Sequence, residues 1–323
     1  RAGGGGPGGG GRVRRPARGG GGRARPPAPR RPIDRTDDPV RDQVLDGPHG
    51  PLRVRVYEPE NPAGPGLVWV HGGGFAAGEI DMPEADWVAQ SFADRGIAVV
   101  SVDYSLAPFP RTWAAAAEAP EREGVHYPVA SEEVEAAFRW AVDSGLAEGP
   151  WSIGGASAGG NLATGAALRL SHSAGPFPAL AVLAYPTLHA VQAAPDAALR
   201  AALDADPDAD VFGPDAVRGM YENYLGGPTD GADVYAVPGT ASPAQLSHFP
   251  ATIVINDEID ELRVSGEAFG ATLRDAGIDL DISTEPGTRH GHLNRPEHAA
   301  ATASIDRFAR RILATSPENK EQS

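Results

Sequence analysis

The chain has 323 residues, 41% of them hydrophobic, and no cysteine. It can bury a substantial core, but disulfides, a thiolate nucleophile and a sulfur-built zinc site are excluded. The formal charge of −15 is uneven: residues 1–35 hold ten arginines against one acid, Asp34, leaving 18 basic and 42 acidic residues in the remainder. A body that acidic does not bind nucleic acid by general electrostatics, and solubility is the plain account of its charge.

Residues 1–36 form a Gly/Arg/Pro-rich tail that cannot bury enough apolar surface to fold, and they are expected to be disordered. Two readings compete for it: a basic arm for nucleic acid or anionic lipid, and an over-extended start with no role. The tail lacks the apolar run of a secretory signal. No stretch of ~18 apolar residues spans a membrane, so a cytoplasmic location is the expectation.

Residues 37–323 read as one domain in which strand-like and helix-like segments alternate. "PLRVRVYEP" (51–59) alternates apolar and polar like a half-buried strand, and "GLVWV" (66–70) is a continuous apolar run like a buried parallel strand. A helix follows over 82–96, ending at Gly96, and then the buried strand "IAVVSVDY" (97–104). The next helix, over 131–145, is expected to open on a Ser131 cap and close at Gly145. "WSIGG" (151–155) is a short strand and "AGGNLATGAALRLS" (158–171) a small-residue helix. "PALAVLAYP" (178–186), "ATIVIND" (251–257) and "IDLDIST" (278–284) are further strands, with helices over 266–277 and 295–316. This is an α/β pattern, with a mainly parallel sheet covered on both faces. Residues 187–250 break the rhythm. They hold helix-like pieces such as 214–227 but no buried strand, as a cap over a site would. The stretch 109–128 is a second candidate flap.

Three stretches carry chemistry. In "GGASAGG" (154–160), between a strand and a helix, G-x-S-x-G holds Ser157 at a sharp turn whose neighbours at minus two and plus two must be small. The helix dipole there favours a developing negative charge. In "HGGGF" (71–75) three glycines leave backbone N–H groups unobstructed, and the Lys-Ser/Thr ending of a phosphate loop is missing. "TRHGHLN" (288–294) offers His290 and His292, either as a proton shuttle or as two ligands of a metal. A serine, then an acid, then a histidine is the chain order of α/β-hydrolases. Asp257, Glu258, Asp260 and Glu261 all follow a late strand, and spacing does not choose among them.

"HGGGF", "VDYSLAP" (102–108), "GASAGGNLA" (155–163) and "DELR" (260–263) occur in one order over roughly residues 40–315. The chain resembles the bacterial hormone-sensitive-lipase-like (family IV) esterases of the α/β-hydrolase superfamily. The resemblance implies an α/β-hydrolase fold with a helical cap about 187–250, no cofactor and no metal, and a small-molecule ester as partner. A homodimer is left open. It implies a triad of Ser157, Asp260 and His290, with Glu261 in a position where the family has proline. It also implies an oxyanion hole built from Gly73, Gly74 and Ala158. His71 and Tyr104 are then bracing residues, and His292 stands where phenylalanine is usual. An N-terminal helical cap is short here, with only Ile33–Arg41 available. The expected activity is cleavage of short- to medium-chain carboxylic esters through an acyl-enzyme, rising with pH as His290 loses its proton near ~6.5. The alternatives are a deacetylase or lactonase for a specific natural product, and a non-catalytic small-molecule receptor on the same fold.

Overall fold

A computed structural model describes residues 38–111 and 120–316. The expectations for residues 1–36 and for the middle of the 109–128 stretch lie outside the described residues. Among the described residues, eight strands form a single sheet. Its spatial order is β1 (Val40–Gly47), β2 (Gly50–Tyr57), β4 (Ala98–Asp103), β3 (Gly66–Val70), β5 (Trp151–Ala156), β6 (Ala181–Ala184), β7 (Thr252–Ile259) and β8 (Leu280–Arg289). The first two pairings are antiparallel and the other five parallel, so the mainly parallel α/β sheet is borne out.

The period-two geometry of a strand divides β3 between two cores. Leu67 and Trp69 join Phe92 of α1 (Asp86–Ala93) and Phe308 of α7 (Ala299–Leu313). Val68 and Val70 join Phe138 of α2 (Val129–Ser144) and Leu162 of α3 (Ala158–Ser171). Burial on both faces is why the strand reads as an unbroken apolar run. Each such side chain contributes about 1.5–3 kcal/mol by leaving water. α6 (Arg263–Asp275) adds Phe269 and Leu273 to the second of these cores.

Strand β1 was not expected. It pairs antiparallel with β2 along its whole length, and Val40 and Arg41, counted above as material for an N-terminal cap, belong to it. Burial scarcely specifies it, since Val44 is 66% exposed. Backbone pairing holds it, together with Asp42, which accepts from both Arg53 and Arg55 on β2. The Ser131 cap is corrected too. α2 begins two residues earlier, after Pro128, without a side-chain cap, and Ser131 is buried and accepts from Arg169 at 3.3 Å. Gly145 does end the helix, at φ 75°. The helix expected over 82–96 narrows to α1, since its start is taken up by turns.

Residues 187–250 contain α4 (Ala197–Ala205) and α5 (Pro214–Leu225) and no strand. Val217, Met220, Tyr221 and Tyr224 of α5 pack into the main core. The parallel strands all run the same way, so their C-terminal ends share one edge of the sheet, where open α/β sheets place ligands. β3 ends directly before His71, β5 before Ser157, β7 before Asp260 and β8 before His290. The topology thus gathers segments that are as much as 219 residues apart in the chain.

Candidate active site

Ser157 sits between β5 and α3 at φ 53°, ψ −119°, a region an L-residue enters only when its surroundings force it there. Its neighbours show why the turn needs glycine. A Cβ on Gly155 would lie 2.5 Å from the backbone of Gly159, and one on Gly159 would lie 2.1 Å from the Val70 carbonyl oxygen. The turn leaves Ser157 6% exposed, at the wall of a cavity of about 550 Å³. Ala158, the first residue of α3, is buried, and the N–H of a first helical residue has no acceptor within its own helix.

The loop after β3 places Gly73 and Gly74 on the same cavity wall. Gly73, Gly74 and Phe75 take positive φ in succession, at 116°, 59° and 66°. A Cβ on Gly73 would sit 2.0 Å from the Ala77 carbonyl oxygen, so no other residue fits there without moving backbone. The loop is braced from below. His71 stacks on Tyr104 at 4.6 Å, and the Tyr104 hydroxyl is 3.2 Å from the carbonyl oxygens of both His71 and Gly72. Burial lowers the His71 pKa, which keeps the ring neutral.

His290 bridges the two remaining candidates. Its Nε2 is 2.9 Å from Ser157 Oγ and its Nδ1 is 2.7 Å from Asp260 Oδ2. Asp260 is fully buried, and its other oxygen accepts from the Leu262 amide at 3.0 Å. A carboxylate only accepts, so Nδ1 carries the proton and Nε2 turns its lone pair to the serine hydroxyl. Burial pushes the His290 pKa down. The charge and hydrogen bond of Asp260, with smaller contributions from Asp257 and Glu84, outweigh it and carry the pKa above the ordinary histidine value.

The four acids that spacing could not separate have four different surroundings. Asp260 meets His290. Asp257, also fully buried, meets His292 Nδ1. Glu258 accepts the Gly287 amide at 2.7 Å. Glu261 is buried, and burial holds its carboxyl above the usual range. The two histidines of "TRHGHLN" therefore do not converge on a common point. His290 spans Asp260 and Ser157, whereas His292 spans Asp257 and Ser304. Ligand-type atoms of Asp257, Asp260 and His290 do lie within 4.8 Å of one another, a grouping with the donor chemistry for a cation.

Several residues at the site escaped the sequence reading. Glu84 is buried, and its carboxylate accepts from the Gly72 amide at 2.6 Å, the Tyr185 hydroxyl at 2.8 Å and the Asn294 side chain at 2.9 Å. It ties the glycine loop to the turn that carries His290. Tyr185 and Phe212 both face the His290 ring edge-on, at 5.1 and 4.5 Å. Nothing local marks Glu84 among the acids of "GEIDMPEAD" (78–86). Among the other histidines, His172 bonds the Tyr235 hydroxyl and the Gln245 carbonyl, and His126 the Asn223 carbonyl, away from the cavity.

A sheet with this order, a serine at the strand-to-helix elbow and a glycine loop beside it define the α/β-hydrolase class. Residues 67–294 match the family described as alpha/beta hydrolase fold. The chain is 31% identical over 251 residues to the carboxylesterase NlhH of Mycobacterium tuberculosis, covering 75% of this chain and 72% of that protein. It is 30% identical over 249 residues to an ethyl acetate hydrolase of Pseudomonas putida, covering 74% and 70%. Among solved structures, an esterase of Pyrobaculum calidifontis superimposes with a TM-score of 0.72 at 30% identity, covering 88% of this chain and 86% of that one. The chain belongs to the α/β-hydrolase family, in its hormone-sensitive-lipase-like (family IV) group of carboxylic ester hydrolases.

Proposed function

We propose that this chain cleaves small carboxylic esters, with short- to medium-chain acyl groups, through an acyl-enzyme on Ser157. What supports the reading is the unbroken hydrogen-bonded chain from Ser157 through His290 to Asp260, opening on a cavity walled by Met82, Phe212 and Met220. Ser157 Oγ attacks the ester carbonyl while His290 Nε2 takes its proton. The oxygen that becomes negative is received by the amides of Gly73, Gly74 and Ala158, and the dipole of α3 adds to them. His290 returns the proton to the leaving alcohol. Water, deprotonated by the same nitrogen, then releases the acid and restores Ser157. Asp260 fixes the tautomer and favours the imidazolium at each proton transfer. Protein groups supply every charge this route needs.

The segment 187–250 acts as the cap. Val211, Phe212, Ala216 and Met220 come from it, and their apolar surface suits an acyl or alkyl chain. Among the described residues no helix is long and apolar enough to cross a membrane. A fluorophosphonate probe should label Ser157, detected by peptide mass mapping, and a p-nitrophenyl ester series from acetate to decanoate should give its highest kcat/KM at or below octanoate. Absence of label on Ser157 would overturn the nucleophile. Faster turnover of lactones or acetylated sugars would move the substrate class.

A further inference from the structure

His292 is the residue of "TRHGHLN" that ester cleavage does not use, and its surroundings are unusual. It is 3% exposed, in the one-turn 3-10 helix His292–Asn294 that follows the His290 loop. Its Nδ1 contacts the Asp257 carboxylate and its Nε2 is 2.9 Å from Ser304 Oγ on α7. Serine, histidine and aspartate thus recur in the order of the triad, but Ser304 and Asp257 have no solvent exposure. A phenylalanine in place of His292 would leave Asp257 without this donor, and the second Asp257 oxygen is already buried with no hydrogen-bond partner among the described residues. A buried carboxylate retained on such terms calls for a role, because burying it unpaired is costly.

From β8, Glu285 pairs with Arg307 of α7 and lies 3.5 Å from Ser304 Oγ. After β6, the Tyr185 ring faces both His290 and His292, at 5.1 and 5.2 Å. After β7 comes Asp260, and across the cavity Glu84. Arg307 pairs with Glu285, and among the described residues the ion-pair partner of Asp257 is His292. Nδ1 of His292 must donate, since a carboxylate only accepts, and the Ser304 hydroxyl can donate to Nε2. Atoms of Asp257, Asp260 and His290 all fall within 4.8 Å. We infer that Asp257 and His292 are a positioning pair for the base: His292, anchored by Ser304, holds the Asp257 carboxylate beside His290, where its charge favours the imidazolium formed when Ser157 gives up its proton. This rests on the triad reading, with His290 as the base. Asp260 orients the ring and Asp257 supplies a second, non-contacting charge.

The test is the pH profile of kcat/KM on p-nitrophenyl acetate, paired with the pH dependence of Ser157 inactivation by diisopropyl fluorophosphate. Asp257→Asn keeps the shape and the acceptor for His292 but removes the charge. Its acidic limb should move to lower pH by about one unit, the order expected for a unit charge at ~5 Å through a dielectric between protein and water. His292→Phe should move the limb the same way, because an unsupported buried carboxylate takes up a proton. His292→Asn, whose amide can occupy the Nδ1 position, should restore the wild-type limb. The double variant of Asp257→Asn with His292→Phe should move it no further than either single change, since both act through one charge. An acidic limb for Asp257→Asn that superimposes on the wild type in both assays overturns the inference. So does a shift with His292→Phe alone, which would make the effect one of packing. His290→Ala separates the two readings. If that variant turns over normally, the triad reading has failed. If it is inactive while Asp257→Asn is unshifted, only the positioning pair has failed.

Discussion

Two Ser–His–Asp strings lie side by side at the C-terminal edge of the sheet, and only one of them opens onto a cavity. Ser157, 6% exposed, and His290, partly exposed, both line the cavity, and Asp260 behind them is fully buried. Ser304, His292 and Asp257 are sealed, with the serine on the buried face of α7. The bond lengths hardly differ: histidine Nε2 to serine Oγ is 2.9 Å in both. What differs is the backbone beneath the serine. Ser157 sits on a strained elbow at φ 53°, beside the glycine loop. Ser304 is an interior residue of a regular helix, on its buried face. Hydrogen-bond geometry alone does not make a nucleophile; access and a receiver for the oxyanion are needed as well.

The largest expected effect breaks the open string. Ser157→Ala should cost on the order of 10⁶ in kcat, the scale seen when the nucleophile of a serine hydrolase is removed, measured with p-nitrophenyl acetate. Asp260→Asn should follow at about 10⁴, because the amide lets His290 present the wrong tautomer to the serine. If Asp257→Asn proves the more damaging of the two, the acid has been assigned to the wrong string.

Gly73→Ala tests the receiver rather than the string. Its Cβ would meet the Ala77 carbonyl oxygen at 2.0 Å, so the loop must shift and its amides with it. The loss in kcat should be about 10²–10³, the value of one oxyanion donor, with fluorophosphonate labelling of Ser157 also slowed. Smaller again is the pH effect. In the proposed mechanism His290 acts as the neutral ring, and Asp260, Asp257 and Glu84 hold its pKa above the ordinary value. Activity should therefore rise with pH through a midpoint above ~6.5, the unperturbed histidine pKa. A midpoint below that value would mean that burial outweighs the carboxylates.

The same comparison shows what a sequence can reveal. Ser157 and the glycine loop were legible because the turns that hold them tolerate few residues, and those constraints are local: a Cβ at Gly155, Gly159 or Gly73 collides with nearby backbone. The central strands were legible for a related reason, since burial on both faces leaves an unbroken apolar run. β1 was not, because its partners are backbone groups of β2 and two arginines rather than a core. Spacing alone did not choose between Asp257, near the end of β7, and Asp260, directly after it; the family resemblance pointed to Asp260. The choice depends on which histidine each carboxylate faces, which the packing of β8 and α7 decides. His292 stayed ambiguous because its partners are 35 residues before it and 12 after it. Glu84 was invisible for the same reason, being joined to Asn294 across 210 residues.

The smallest expected effect on turnover belongs to the sealed string, and it sharpens the comparison most. Ser304→Ala removes a hydroxyl that touches neither cavity nor substrate. It leaves His292 Nε2 buried without a partner, a loss of about 1–3 kcal/mol in stability, read from the midpoint of urea unfolding. Turnover should fall by no more than a few-fold, and Ser157 should still be labelled by a fluorophosphonate. Because His292 keeps its bond to Asp257, the charge beside His290 persists and the acidic limb of the pH profile should stay in place, unlike that of His292→Phe. A collapse of turnover on the scale of Ser157→Ala, with the fold intact, would mean that Ser304 takes part in the chemistry and that the two strings cannot be told apart by access.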